Sequence, residues 1–328
     1  MKLLRLLLQR LALGVLTVIA VSMVIFACVS LLPGDFASNV LGQSATPETV
    51  ASFRKLLGMD QPILLRYWHW ISGAMTGDLG YSFTAIGSVT IDQSRSVAAL
   101  LGERLFNTLF LAGLAAAFAI PVAVALGILA VICRGGAVDR LITMASISAI
   151  SVPEFLVSYI LIVTLAIQIP IFHAMSYVTA DMGLGERMAR CALPAFTLFI
   201  PVVGHMARMT RASVMPILGS AYIETARLKG LSNLRIILTH ALPNAWAPIV
   251  AVIALNMAYL VVGAVVVEVV FVYPGVGQMM VDSVTKRDIP VVQACALIFS
   301  VVYIGCNLLA DLIGIAANPR LLHPRSSS

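Results

Sequence analysis

The sequence predicts an all-α polytopic membrane protein with six transmembrane helices. Of its 328 residues, 60% are hydrophobic and 11% are charged, whereas about a quarter of the residues in soluble proteins are charged. Six apolar stretches are each long enough to cross a bilayer, which takes about 20 residues. Lys and Arg are concentrated in the segments between alternate stretches. The six predicted spans are 11–32, 105–132, 141–168, 192–213, 244–271 and 291–316.

The first apolar stretch is predicted to be an uncleaved span that follows a cytoplasmic N-terminus, 1–10. It is longer than the roughly 7–15 apolar residues of a signal peptide and has no A-x-A cleavage site. Six spans return the C-terminal segment 317–328 to the same side. The segments assigned to the cytoplasm, counted together with the adjoining end of the fourth span that holds Arg208 and Arg211, contain twelve Lys or Arg and two acids, against nine and ten in the longer opposite segments. The net charge of +6 therefore reports orientation, and we expect no nucleic-acid partner.

An extracytoplasmic region is predicted over residues 33–103, where the chain becomes polar. Thr46, Pro47 and Glu48 predict the start of a helix that ends at Gly58, and Pro62 predicts the start of a second helix. The second helix has an apolar stripe made of Leu64, Tyr67, Trp68, Ile71 and Met75. It fits a helix lying in the outer membrane interface and, equally well, a helix packed on the ends of the spans.

A polar, basic loop, residues 219–243, lies within the five-span domain predicted over residues 104–316. Two short helices with a common apolar face are predicted on either side of Gly230, because apolar residues recur there at helical spacing. These residues are Ile223, Ala226, Leu234, Ile237, Leu238 and Ala241. Gly230 suits a left-handed turn after the first helix, and Ser232 suits the N-cap of the second. Glu224, Arg227, Lys229 and Arg235 are left for another surface.

The loop resembles the EAA loop of the membrane subunits of bacterial ABC importers. The pattern is Glu224-Thr225-Ala226, three residues, Gly230, nine residues and His240-Ala241-Leu242-Pro243. Thr225 and His240 depart from the commonest loop and resemble the dipeptide, oligopeptide and nickel branch, as do Leu32-Pro33-Gly34-Asp35 and Asn318-Pro319-Arg320. The resemblance implies an ATPase-coupling surface. Its residues would be Tyr222, Glu224, Thr225, Ala226, Arg227, Lys229, Gly230, Leu242 and Pro243.

The resemblance further implies a permease subunit in the bacterial inner membrane that forms half of a translocation pathway for a peptide-like or small solute. Its partners would be a homologous second permease, two cytoplasmic ATPase subunits, an extracytoplasmic binding protein and membrane lipid. ATP and Mg²⁺ would bind the ATPases, with no cofactor on this chain. An ion-driven secondary transporter is the alternative, and it would require inverted repeats, broken helices and paired intramembrane acids. A membrane scaffold without substrate flux is a third possibility.

No motif in the sequence predicts an enzyme. None of the four lysines follows a glycine, so the chain lacks the Gly-Lys pair of a Walker A loop. HExxH and GxSxG are absent, and the five histidines are scattered. We therefore expect neither catalytic residues nor metal ligands.

Polar side chains inside the predicted spans are candidates for the pathway or a gate, because such side chains are costly in a membrane. Ser148, Ser151, Glu154 and Ser158 follow one another at intervals of three and four residues, which predicts one polar stripe on the third span. Asn256 and Glu268 in the fifth span are further candidates. For the stripe on the third span, structural hydrogen bonds within or between helices are an equally open interpretation. For Asn256 we expect helix packing, and for Glu268 we expect pairing with another helix. For Asp311 in the last span, we expect pairing with another helix.

Overall fold

The computed structural model describes residues 2–31, 46–56, 60–83 and 96–317. Within these ranges the regular secondary structure is helical, with one isolated bridge between Tyr81 and Ser96. The helices are α1 (Lys2–Ser30), α2 (Pro47–Leu56), α3 (Ile63–Thr76), α4 (Val97–Ile132), α5 (Ala137–Ser151), α6 (Glu154–Leu161), α7 (Leu184–Val214), α8 (Ala221–Leu228), α9 (Asn233–Arg235), α10 (Leu242–Val270), α11 (Val276–Thr285) and α12 (Ile289–Ala317). The predicted helix end at Gly58 and the motifs 32–35 and 318–320 lie outside the described residues.

The predicted all-α membrane fold is confirmed. In the described ranges, five helical segments are long and apolar enough to cross a membrane, and a bent pair forms a sixth candidate span. The five are Leu7–Ser30, Val97–Ile132, Leu184–Gly219, Asn233–Val270 and Ile289–Gly314. The bent pair consists of α5 and of α6 with its π-helical continuation Ile162–Gln168.

The third predicted span, 141–168, is not one straight helix, because its two halves meet at 99°. Val152 adopts an extended backbone, with φ −89° and ψ 126°, immediately before Pro153. A proline ring disfavours the helical conformation of the residue before it and removes a backbone donor. The prediction of one polar stripe is therefore wrong: Ser148 and Ser151 lie on α5, and Glu154 and Ser158 lie on α6.

The chain divides into two compact units. The first contains Met1–Gly14, Leu109–Tyr273 and Val302–Ser328, and the second contains Val15–Thr108 and Pro274–Val301. The division does not follow the order of the spans, since α1, α4 and α12 each contribute to both units. The boundaries predicted from topology remain predictions.

In the first unit, α7 is the central helix and packs against α5, α6 and α10. It buries Leu193, Leu198 and Met206 almost completely. At Gly204, an added Cβ would lie 2.8 Å from the carbonyl oxygen of Ser146, so only glycine permits this approach of α5 to α7. Small residues at such crossings are characteristic of membrane helices.

The second unit has its own apolar cluster between the start of α4 and helices α11 and α12. Val97, Val276 and Val291 are among its buried residues. Asp288, in the connection between α11 and α12, accepts hydrogen bonds from the Ser82 hydroxyl and from the backbone N–H of Phe83. The segment before residue 84 is therefore fixed to the α11–α12 connection.

Candidate functional site

The turn at Gly230 closes α8 as the sequence predicts. Gly230 has a φ of +79°, in the left-handed region. Its N–H donates to the carbonyl of Arg227 at 2.9 Å, and the N–H of Leu231 donates to the carbonyl of Ala226 at 3.3 Å. This pair of bonds is the Schellman motif, which satisfies carbonyls at a helix end. The turn therefore ends α8 with a defined geometry.

The second half of the loop is not a separate short helix. Ser232 lies at the N-cap position, although its side chain makes no capping hydrogen bond. From Asn233 the chain continues through α9 and a π-helical segment, Ile236–Ala241, into α10. Pro243 explains the wider turn, because a proline ring clashes with the carbonyl four residues earlier. In the next turn, the Asn244 side-chain amide donates to the carbonyl of His240 at 2.8 Å.

The apolar face of the loop is buried in the first unit. Ile223 is completely buried, and it belongs to a cluster with residues from the ends of α4, α7 and α10. The buried members are Val131, Val214, Leu218, Ile223, Ala226, Ile236, Ile237, Ala241, Ala245 and Ile249. The prediction that Leu234 and Leu238 share this face is wrong, because both are roughly half exposed. The π-helical turn changes the angular step per residue, so Ile236 is buried instead.

We call the exposed side of the loop the hairpin surface. It consists of Tyr222, Glu224, Thr225, Arg227, Leu228, Lys229, Leu234 and Arg235, all of which are exposed. Leu228 is the most exposed of its apolar members at 84%. Leu228 was not among the predicted coupling residues, although an apolar residue outside the helical stripe was a usable signal.

The residues predicted to contact an ATPase divide into two groups. Tyr222, Glu224, Thr225, Arg227 and Lys229 are on the hairpin surface, and Gly230 and Pro243 are exposed nearby. Ala226 is buried and Leu242 is partly buried, so these two residues support the loop from within.

An ion pair that sequence analysis did not single out lies beside the buried face of the loop. The Arg211 guanidinium donates from Nε to Asp139 Oδ1 at 2.8 Å and from an Nη to Asp139 Oδ2 at 3.0 Å. The N–H of Gly135 also donates to this carboxylate. Such two-point pairs restrict geometry as well as adding energy. The first turn of α5 is thereby joined to α7 close to Val214, and the N–H of Gly135 ties the α4–α5 connection to the same carboxylate.

A cavity of about 340 Å³ opens at the break between α5 and α6. It is lined by Ile150, Val152, Pro153, Glu154, Pro201, Val202, His205, Leu255, Asn256 and Tyr259. The Tyr259 hydroxyl donates to Glu154 Oε1 at 2.6 Å. His205 Nδ1 lies 3.2 Å from Asn256 Oδ1, and Asn256 Nδ2 donates to the carbonyl of Val252 at 2.8 Å. The break thus opens a mainly apolar cavity into which four polar residues project, Glu154, His205, Asn256 and Tyr259.

The cavity contains only some of the predicted pathway residues. Glu154 and Asn256 line it, whereas Ser151, Ser158 and Glu268 do not. Ser151 donates to the carbonyl of Ile147, and Ser158 is buried and donates to the carbonyl of Glu154. Glu268 is fully buried.

Two cavity residues, His205 and Tyr259, were missed. Each is a polar group in an apolar stretch, and Tyr259 follows Asn256 by three residues. Asp311 pairs with Arg10 at 2.8 Å, which confirms the expected pairing between helices. Among the described residues, no group of three or more His, Cys, Asp or Glu could hold a metal ion.

Comparison with known proteins gives consistent matches along the chain. A family described as binding-protein-dependent transport system inner membrane component matches residues 102–323, and a model for its N-terminal region matches residues 3–112. A probable peptide ABC transporter permease of Sinorhizobium fredii is 35% identical over 96% of this chain and 98% of that protein. The glutathione transport system permease GsiC of Escherichia coli is 36% identical, covering 93% and 94%.

The fold also matches a chain of the MetNI methionine ABC transporter, solved in inward-facing conformations. The TM-score is 0.52 with 17% sequence identity, and the match covers 67% of this chain and 96% of that chain. At this identity, the match shows similarity of fold alone.

Proposed function

This chain belongs to the family of binding-protein-dependent transport system inner membrane components, and we propose on that basis that it couples uptake of a peptide-like solute to ATP hydrolysis through its hairpin surface. The chain is a multi-pass inner membrane protein, a permease subunit of an ABC importer and not itself an enzyme. Proteins of this family act with ATPase and substrate-binding partners.

The family assignment excludes the ion-driven secondary transporter that the sequence left open. The bend between α5 and α6 is a broken helix of the kind which that alternative required. It does not restore the alternative, because the likeness to ABC permeases covers nearly the whole chain.

The names of the relatives support a peptide-like substrate. One relative is named as a peptide permease and the other as a permease for glutathione, which is itself a tripeptide. Both cover more than nine tenths of this chain, so the likeness includes the membrane helices that surround a pathway. We therefore propose a short peptide or a peptide derivative as the solute.

The observation that carries the coupling proposal is the division of the loop into a buried apolar face and the hairpin surface. The buried face is packed against the ends of α4, α7 and α10. A partner that moved the hairpin surface would therefore move these helices as well. Charged residues around Leu228 give this surface the composition of a docking site with an apolar centre.

We also propose a membrane orientation for this chain and a set of partner subunits. The Lys and Arg distribution favours a cytoplasmic hairpin surface and cytoplasmic termini. Two ATPase subunits with bound ATP and Mg²⁺ would contact this chain and a homologous second permease, and a binding protein would deliver the solute from the opposite side. ATP binding belongs to the partners because the chain has no Gly-Lys pair.

Replacing Leu228 by aspartate tests the docking role of the hairpin surface. We expect Leu228→Asp to weaken association with the ATPase subunits at least about tenfold, because buried apolar anchors at interfaces contribute roughly 2 kcal/mol or more. Affinity is measured by titrating the purified ATPase onto permease in nanodiscs. Since Leu228 is 84% exposed, the change should not unfold this chain.

Met175→Asp is the matched control. Met175 is an exposed apolar residue in the connection between the π-helical segment 162–168 and α7. The predicted topology places this connection on the opposite side of the membrane from the hairpin surface. Its substitution should leave ATPase affinity unchanged. Unchanged ATPase affinity in Leu228→Asp, or equal losses in both variants, would contradict the proposal.

A further inference from the structure

The cavity at the break between α5 and α6 carries a carboxylate that has no cationic partner among the described residues. Glu154 accepts a hydrogen bond from Tyr259 at Oε1. In the described part of the chain, no Lys or Arg forms an ion pair with Glu154, and no donor bonds to Oε2. Its two oxygens would be 3.5 and 3.6 Å from a Cβ at Gly263. The carboxylate is therefore held against α10 by Tyr259 and the bare backbone of Gly263.

An ionised carboxylate in this position is energetically costly, which makes it a candidate for a functional role. It lies within a candidate span, where an ionised group loses its hydration. This loss of hydration free energy is offset when a partner group or a passing solute carries the opposite charge. The surrounding low dielectric also strengthens its attraction for a cation. Arg10 and Asp311 show the contrasting arrangement, in which a span acid is paired within the protein.

The second polar pair in the cavity adds a hydrogen-bond acceptor. Asn256 Nδ2 donates to the carbonyl of Val252, which directs Oδ1 toward His205. An amide oxygen can only accept, so His205 Nδ1 is the donor of their 3.2 Å bond. In the neutral imidazole, Nε2 then carries a lone pair. The cavity residues thus offer a carboxylate oxygen and an imidazole nitrogen, both of which accept hydrogen bonds.

We propose that this cavity is a subsite for the primary ammonium group of the transported solute, such as the free amino terminus of a peptide. Glu154 compensates the positive charge, and His205 and Tyr259 provide hydrogen-bonding groups beside it. Asn256 acts as a positioning residue, because it sets the orientation of the His205 ring. The volume of about 340 Å³ accommodates an amino terminus and its first side chain. This inference rests on the proposed import of a peptide-like solute and names the group that the pathway recognises.

Protection of Glu154 from a carbodiimide tests the subsite directly. The assembled permease–ATPase complex in nanodiscs is treated with dicyclohexylcarbodiimide, and modification of Glu154 is measured by mass spectrometry. The two probes are alanyl-alanine and propionyl-alanine, which differ only by the amino group. At about ten times its half-protecting concentration, alanyl-alanine should slow the modification roughly tenfold, since the unbound fraction falls as 1/(1 + [L]/Kd). Propionyl-alanine should protect less than about twofold at the same concentration.

Two variants distinguish binding of the ammonium group from a purely structural effect on the cavity. His205→Ala should raise the half-protecting concentration of alanyl-alanine roughly tenfold, the cost of one hydrogen bond to a charged group. Ser151→Ala is the matched control, because Ser151 is near the break but does not line the cavity. It should leave the half-protecting concentration unchanged.

Equal protection by both probes, or an unchanged half-protecting concentration in His205→Ala, would overturn the subsite. The measurement requires neither ATP nor a binding protein, so its failure leaves the coupling proposal intact. Retained ATPase affinity in Leu228→Asp would overturn the coupling proposal and leave the subsite intact. The two failures are therefore distinguishable.

Discussion

Helices α3 and α8 end in the same way and have different surroundings. In α8 the N–H of Gly230 bonds to the carbonyl of Arg227 and that of Leu231 bonds to Ala226; in α3 the N–H of Gly77 bonds to Ala74 and that of Asp78 to Gly73. Both glycines are left-handed, with φ values of +79° and +85°. The termination signal is local and identical, because glycine adopts this conformation without a Cβ penalty.

The apolar faces of the two helices meet different environments. Ile223 of α8 is fully buried, whereas α3 has no buried residue. Only one edge of α3 packs on α1, where the ring of Phe26 lies 5.5 Å from Tyr67 and 5.8 Å from Trp70. The other side leaves Ile63, Leu64, Trp68 and Met75 exposed. The same helix ending thus occurs on a helix anchored in protein and on one that presents apolar surface outward.

The sequence allowed two positions for α3, in the outer membrane interface or packed on the ends of the spans, and its contacts favour the first. Phe26 is four residues before the end of α1, so Tyr67 and Trp70 contact α1 within its apolar stretch. Ser22 lies one turn before Phe26 on α1, and its hydroxyl is 2.8 Å from the Tyr67 hydroxyl. At this depth, the exposed side of α3 is suited to the lipid interface. We expect lipid to cover it, while protein covers the apolar face of α8.

The largest difference is expected when a large apolar residue of each helix is truncated. Ile223→Ala should lower the free energy of unfolding by about 2–4 kcal/mol, because it leaves a cavity in a packed cluster. Leu64→Ala should change it by less than about 0.5 kcal/mol, since Leu64 is 81% exposed and leaves no cavity. Both are measured by denaturing-detergent titration of the purified protein in one mild detergent. Equal losses in the two variants would remove the distinction between the helices.

An intermediate effect is expected at the turn that ends α8. Gly230→Val should strain the left-handed backbone by about 1–2 kcal/mol and shift the hairpin surface. Uptake and substrate-stimulated ATPase activity should then fall together in proteoliposomes, while the complex still assembles. Normal coupling in this variant would refute the docking role of the hairpin.

Gly219→Val is the control for that turn. An added Cβ meets no atom within 4 Å at either Gly219 or Gly230, but only Gly230 has a positive φ. Gly219→Val should therefore retain uptake and ATPase stimulation. A loss of both activities in Gly219→Val would show that side-chain bulk, and not backbone strain, is responsible.

The smallest change in stability is expected at Trp68, where the informative readout is spectroscopic. In a Trp70→Phe, Trp246→Phe background, Trp68 is the remaining tryptophan. Its fluorescence should be quenched by brominated lipid acyl chains and little affected by aqueous acrylamide, because α3 faces the interface. The reverse pattern would place the exposed side of α3 in water. Trp68→Ala should alter the unfolding free energy by less than about 0.5 kcal/mol.

Several features were determined by the sequence alone. Long apolar stretches specify membrane helices because a helix satisfies its backbone hydrogen bonds internally, and five stretches form continuous candidate spans. Gly230 and its neighbours specify the turn after α8, since its hydrogen bonds join residues at most five positions apart. The motif around Glu224 and Gly230 also indicated the family before any contact was known.

Other features were decided only by tertiary structure. Pro121, Pro194, Pro201 and Pro248 lie inside helices, whereas Pro153 is the N-cap residue of α6 at a bend of 99°. The same residue type has opposite outcomes because packing by neighbouring helices determines whether a proline is accommodated or breaks the helix. Leu234 and Leu238 are exposed because the π-helical segment before Pro243 changes the angular step per residue and so shifts which side chains face the core. The cavity joins Glu154, His205 and Tyr259 from three helices far apart in the chain, a proximity that local periodicity does not encode.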